Sequence, residues 1–219
     1  MIIEFAGSPR SGKSTTLDTI KDYYIRLGNN VKLYTEGARF CPFPNTSRVS
    51  TAFWLANHAL NNIIEGKNQF IKSTMIFQDR GLFDALGFLL LLEIEGILDS
   101  QNEIHPFTQN KKKEDIFYYM NLFANWGKYV DIVFLFEIEP EIAIKRDIAL
   151  QIGAGPGLIT NLITLDNLQK SYSIIYDKYN GIKFPLIERI KTTNLSQYEI
   201  AKKIVNKIES LRGNDEEKD

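Results

Sequence analysis

The chain has 219 residues, which fits one domain or a domain with a small insertion, long enough to bury most of its apolar surface without staples. Lys plus Arg number 26 and Asp plus Glu 27, so a whole-domain basic footprint for nucleic acid is excluded, and a composition 44% hydrophobic and 24% charged is that of an ordinary globular domain. A single cysteine, Cys41, excludes an internal disulfide, suits a reducing compartment, and is read as a small buried apolar group rather than a nucleophile.

In chain order, residues 1–6 read as a strand and 13–27 as a helix, followed by a second strand, "VKLYT", at 31–35. "SRVSTAFWLANHALNNIIEG" reads as a helix, with Phe53, Leu55, Ala59, Leu60, Ile63 and Ile64 near one face. "STMIFQD" (73–79) is a third strand, with a helix from Leu82. After a charged loop, "NKKKED" (110–115), a helix around "EDIFYYMNLFANW" precedes the strand "YVDIVFLFEI" (129–138). "PEIAIKRDIAL" opens a helix on Pro140, where a missing N–H does no harm. The Gly-rich "IGAGPG" leads to a helix at 164–179, a last strand at 184–192 and a last helix at 196–212. Glu4 and Arg10 interrupt any leader-like apolar stretch, and "LGFLLLLEIEGIL" carries Glu93 and Glu95 and is too short to span a bilayer. The expectation is a cytoplasmic protein without membrane association.

Strands separated by helices imply βαβ units, hence a parallel sheet with helices on both faces. Such sheets bind ligands beyond the carboxyl ends of their strands. The first of those ends carries "GSPRSGKS", which fits G-x-x-x-x-G-K-[ST] at Gly7, Gly12, Lys13 and Ser14. The pattern arises by chance in about one chain of this length per hundred, before the flanking strand and helix are required as well. Nucleotide binding is therefore assigned to Gly7, Ser8, Pro9, Arg10, Ser11, Gly12, Lys13, Ser14 and Thr15. Backbone N–H groups and the helix N-terminus would surround the phosphates, Lys13 would reach their outer oxygens, and Ser14 would ligate Mg²⁺.

After the second strand comes "YTEGAR", placing Glu36 and Arg39 at the same sheet edge. After the third comes "QDRGLFD", placing Asp79, Arg80 and Asp84 there, and "FEIEPEIAIKRD" follows the fourth. Together with the loop, these stretches resemble the P-loop nucleoside and nucleotide kinase superfamily, which includes thymidylate kinases, deoxynucleoside kinases and small kinases of the nicotinamide-riboside-kinase sort. "EGAR" is similar to the Glu-x-Ala-Arg form of the last group. The resemblance covers residues 1 to about 205. It implies a three-layer α/β P-loop NTPase fold with a five-stranded parallel sheet, a single kinase domain over 1–212 with a lid at about 146–165, and a disordered tail at 213–219.

The resemblance further implies ATP and Mg²⁺ as cofactors and a nucleoside or nucleoside monophosphate as acceptor. Catalysis would fall to Lys13, Glu36, Arg80 and Arg146, and Mg²⁺ to Ser14 and Asp79. Glu36, Arg39, Phe40, Trp54 and Asp84 would bind the acceptor. Glu36 would take the proton of an alcohol acceptor; for a phosphate acceptor no base is needed and Arg39 gains weight. Other readings stay open: Glu36 as a surface or capping residue, Asp79 as a helix N-cap, Arg146 as a solvated helix residue, and Glu137 as a rival magnesium ligand. Phe40, Phe43, Phe53 and Trp54 either wall a flat acceptor or belong to the core. Asn57 and Asn61, with His58 nearby, either hydrogen-bond a base or face water. His58 and His105 lack metal-ligand company, so no zinc site is assigned. Two rival functions remain: an NTP-hydrolysing switch acting on a protein partner, and a kinase of nucleic-acid ends or of another non-nucleotide acceptor. The near-neutral charge argues against nucleic acid, and homodimerisation is left open.

Overall fold

The computed structural model describes residues 1–42, 48–69, 74–96, 112–150, 161–179 and 185–216. The elements run β1 (Ile2–Gly7), α1 (Lys13–Arg26), β2 (Val31–Tyr34), a short 3₁₀ turn (Gly37–Phe40), α2 (Arg48–Gln69), β3 (Met75–Asp79) and α3 (Leu82–Ile94). They continue with α4 (Lys112–Trp126), β4 (Ile132–Glu137), α5 (Pro140–Leu150), α6 (Leu162–Tyr179), β5 (Leu186–Lys191) and α7 (Gln197–Glu216).

The five strands form one parallel sheet in the order β2-β3-β1-β4-β5. β1 lies at its centre, and all six of its residues are buried. Apart from Glu4 on β1 and Glu137 at the end of β4, these two strands are apolar on both faces, as a parallel sheet covered by helices on both sides demands. On one face α1 and α7 close a core of Phe5, Leu17, Ile20, Phe77, Phe134 and Ile204. On the other, α2, α3, α4 and α6 bury Ile63, Phe83, Leu89, Phe123, Leu168 and Tyr172. α3 explains the most apolar stretch of the sequence: every residue from Leu82 to Leu92 is buried, as expected of a helix that is greasy all round. Among the described residues no helix is long and apolar enough to cross a membrane.

Several boundaries differ from expectation, among them the start of β4, expected at 129 and found at Ile132, and the two helix ends that follow. α4 begins at Lys112, inside the charged run read as a loop, because Lys and Glu are good helix formers as well as good loop residues. α7 runs to Glu216 rather than stopping at 212. Its last turns are tied to the end of α1: Tyr24 Oη donates to Glu209 at 2.8 Å, and Arg212 donates to Asn29 Oδ1 at 3.2 Å. Residues 151–160 of the expected lid, and residues 217–219 of the expected tail, lie outside the described set.

Candidate functional site

The loop between β1 and α1 is shaped by a close backbone approach. Gly7 has φ +126°, and a Cβ there would lie 2.1 Å from the Phe136 carbonyl oxygen, so only glycine fits between β1 and β4. The next residue closes the contact, Ser8 N–H donating to the same carbonyl at 3.2 Å. Gly12, also at positive φ, stands immediately before the first turn of α1. Among the described residues, the non-glycine positions with positive φ are Arg10 and Arg80, and both belong to this site. Such conformations persist only where their surroundings hold them.

Lys13 folds back into the loop. Its ammonium donates to the carbonyls of Gly7 and Ser8, each at 2.7 Å, and to Ser11 Oγ at 3.4 Å. Burial, followed by the nearby Arg80 charge, brings its pKa down to about 7. One residue on, Ser14 Oγ donates to Asp79 Oδ2 at 3.0 Å, joining the start of α1 to the end of β3. Asp79 is 6% exposed, and its other oxygen, Oδ1, has no hydrogen-bond partner. Burial raises the Asp79 pKa, against the pull of Arg80, Lys13 and the Ser14 hydroxyl.

Arg80, at the turn after β3, binds both sides of the site. Its Nε meets Glu36 Oε1 at 2.8 Å, its Nη1 meets Asp84 Oδ2 at 2.8 Å, and Nη1 also reaches the Gly7 carbonyl at 3.3 Å. Burial works against its charge, but Asp84 and Glu36 more than offset that, so its pKa stays above the ordinary guanidinium value. Glu36, 29% exposed in its side chain, lies two residues beyond β2, just before the 3₁₀ turn, and opens toward solvent. Beyond it, Trp54 Nε1 on α2 donates to the Gly37 carbonyl at 2.9 Å, and its ring stacks on His58, which also faces Phe40. Phe40 is 59% exposed, so an aromatic surface stands beside Glu36. Phe53 packs against the core, and Asn57 donates back to the Phe53 carbonyl within its own helix. Phe43, His105 and the Arg39 side chain lie outside the described residues.

Asp84, expected as an acceptor contact, is held here by the loop, by Arg80 and by α6. It is 1% exposed, and both oxygens are engaged: Oδ1 accepts from Gly7 N–H and from Tyr172 Oη, each at 2.8 Å, and Oδ2 accepts from Arg80. A carboxylate covered in this way braces the loop from beneath. Arg146 reaches the other end of the loop, donating to the Arg10 carbonyl at 3.3 Å and to the Thr192 carbonyl at 3.4 Å. Its neighbour Asp147 pairs with Arg10 at 2.5 Å. Glu137, the rival magnesium ligand, is held by Arg189 through Nε at 2.7 Å. A cleft of about 840 Å³ between β5 and α7, lined by Lys191, Lys203 and Lys207 among others, holds none of the loop residues.

Three residues of this region carry no motif. Glu4, on β1, is fully buried, and its carboxylate accepts from the N–H groups of Phe83 and Asp84 at 3.2 and 2.8 Å, capping α3. Burial outweighs those hydrogen bonds and pushes its pKa up to about 8. A charged residue inside "IIEFA" is the signal that would have found it. For Tyr172 and Asp147 the sequence gives no signal.

No family model matches the chain, and no curated protein matches it in sequence. Solved structures do. A thymidylate kinase from Candida albicans is similar over 96% of this chain and 92% of that one, with a TM-score of 0.66 and 14% identity. Deoxyadenosine kinase from M. mycoides with bound dATP is similar over 95% of this chain and 100% of that one, at 0.67 and 20%. The same enzyme with bound dCTP gives 0.63 and 20% over 96% of this chain and 100% of that one. The chain therefore shares the fold of these structures, a five-stranded parallel sheet with helices on both faces.

Proposed function

We propose that this protein is an ATP- and Mg²⁺-dependent kinase that transfers the γ-phosphoryl group to a nucleoside or nucleoside monophosphate. The observation that carries the reading is the convergence of Lys13, the Ser14–Asp79 pair and the Arg80–Glu36 pair at one sheet edge. They meet in a fold whose similar solved structures include a thymidylate kinase and a deoxyadenosine kinase.

Phosphoryl transfer asks a protein mainly for positioning and for positive charge around the moving group. Backbone N–H groups among residues 10–15 would hold the nucleotide phosphates at the positive end of α1. Lys13 would exchange its carbonyl partners for phosphate oxygens, with Arg80 and Arg146 as further cations. The residues fit magnesium: the buried Asp79 has an unpartnered oxygen beside the Ser14 hydroxyl. No group of three His, Cys, Asp or Glu converges among the described residues, so a cation here would complete its shell with phosphate and water oxygens, as Mg²⁺ does. Bound there, Mg²⁺ would neutralise charge on the phosphates. On the open side Glu36, oriented by Arg80, would accept the proton of an alcohol acceptor, with the Phe40, Trp54 and His58 rings beside it as a surface for a flat base. Arg39 stays in the proposal as a contact for an acceptor phosphate, and a homodimer as its assembly.

Glu36→Gln tests the acceptor side. With an alcohol acceptor, loss of a general base lowers kcat by about 10²–10⁴-fold. With a phosphate acceptor the variant stays near wild type. A Glu36→Gln protein active on every acceptor would remove the base role.

A further inference from the structure

We propose that Tyr172, on α6, is a positioning residue for the nucleotide loop and for Arg80, acting through the Asp84 carboxylate. The inference rests on the nucleotide-binding reading of the loop and adds a residue far from it in sequence.

Tyr172 is 2% exposed, and its position is fixed on three sides. Its ring stacks on Phe83 at 6.1 Å with planes 10° apart. It also occupies the space over Gly87, where a Cβ would lie 2.2 Å from the Tyr172 ring. With the ring so held, its hydroxyl has one described partner, Asp84 Oδ1 at 2.8 Å. That same oxygen accepts the Gly7 N–H at 2.8 Å, and the other oxygen binds Arg80, which holds Glu36. One buried carboxylate thus links the first glycine of the loop, the cation of the transfer site and the acceptor-side glutamate.

The position of this carboxylate is over-determined. Glu4 fixes its backbone by accepting from the Asp84 and Phe83 N–H groups, while Gly81 leaves no room for a Cβ, which would lie 2.6 Å from the Glu4 carboxyl. The side-chain torsion of Asp84 is set by its three hydrogen-bond donors, and Tyr172 is the one donor that is neither loop nor catalytic cation. Without the Tyr172 hydroxyl, Oδ1 keeps a single partner, and the carboxylate can rotate toward Arg80. Gly7 N–H then loses its acceptor in a buried setting, where an unmet donor is costly.

Tyr172→Phe keeps the ring, its stacking and the fit over Gly87 while removing the hydroxyl. The probe is ATP binding measured by calorimetry without any acceptor, so the outcome does not depend on what the acceptor is. The expected result is a loss of about tenfold in ATP affinity, with cooperative unfolding retained. In an Asp84→Ala background the same change should have no further effect on affinity. Hydrogen exchange at Gly7 N–H, followed in Tyr172→Phe alone, should accelerate and keeps the test open if Asp84→Ala fails to fold. Wild-type affinity and unchanged Gly7 exchange in Tyr172→Phe, with stability alone lowered, would reduce Tyr172 to a packing residue and overturn the proposal. Losses that multiply in the double variant would also overturn it. If wild type binds ATP but phosphorylates nothing, the kinase reading fails while this inference stands or falls on its own data.

Discussion

Replacing Arg80 with alanine separates what this guanidinium does for folding from what it would do in the proposed transfer. In the folded protein it pairs with Glu36 and Asp84, each at 2.8 Å, and its cation lies 5.4 Å from the Phe88 ring centroid. Glu36 is solvated enough to lose its partner at a cost of less than about 1 kcal/mol. Asp84 is not: it is 1% exposed, and its Oδ2 has no described partner besides Arg80. Removing one member of a buried pair costs about 3–5 kcal/mol, because the other is left as an uncompensated charge. At about 2–4 °C per kcal/mol for a chain of this size, the melting temperature should fall by about 6–20 °C. Urea denaturation at neutral pH, followed by two independent probes, measures the loss. The double variant Arg80→Ala/Asp84→Asn should recover at least half of the stability, since an amide needs no cation, yet remain as poor in phosphoryl transfer as Arg80→Ala. A double variant less stable than Arg80→Ala would refute the reasoning, because Asp84 would then not be the charge that Arg80 compensates.

Two titrations bear on the site. Burial in the loop lowers the Lys13 pKa to about 7, so phosphates bound beside it should restore the ammonium. ATP binding at pH 8 should then take up protons, detected as a dependence of the calorimetric heat on buffer ionisation enthalpy that is weaker in Lys13→Met; equal uptake in the two proteins would contradict it. Glu4 has a folded pKa of about 8 against an ordinary 4.5, so the native state holds the proton more tightly and Glu4's contribution to stability is lost as pH rises through that window. The stability of wild type relative to Glu4→Gln should accordingly fall from pH 4.5 to 8, and a flat or rising difference in denaturation experiments would oppose the assignment.

What the sequence disclosed about the site depended on how local each feature was. The loop was legible because its glycines and Lys13 sit within nine consecutive residues and carry their chemistry in their spacing. Asp79, Arg80 and Glu36 were legible one step further on, since parallel strands point their carboxyl ends to one edge, and any polar cluster there becomes a candidate. The surroundings of Asp84 were not legible, because α6, 88 residues away in sequence, lays Tyr172 over it. Glu4 was passed over as a charge that breaks a leader-like stretch. Its strand register pairs it with Gln78, whose buried amide has no partner among the described residues, so two buried polar side chains sit side by side on neighbouring strands. The Arg189 partner of Glu137 was not legible either, because it depends on the pairing of β4 with β5. The sheet itself was readable as alternating apolar runs and helices, but its order, with β1 between β3 and β4, depends on long-range pairing that no local pattern encodes.

The central claim is tested most directly by incubating the protein with Mg-ATP and a panel of nucleosides and nucleoside monophosphates, then weighing the products. The account predicts that at least one acceptor gains the mass of one phosphoryl group, that ADP forms in proportion, and that Lys13→Ala yields neither. ADP formation unaffected by every acceptor, with no phosphorylated product, would contradict it and point instead to a hydrolytic switch.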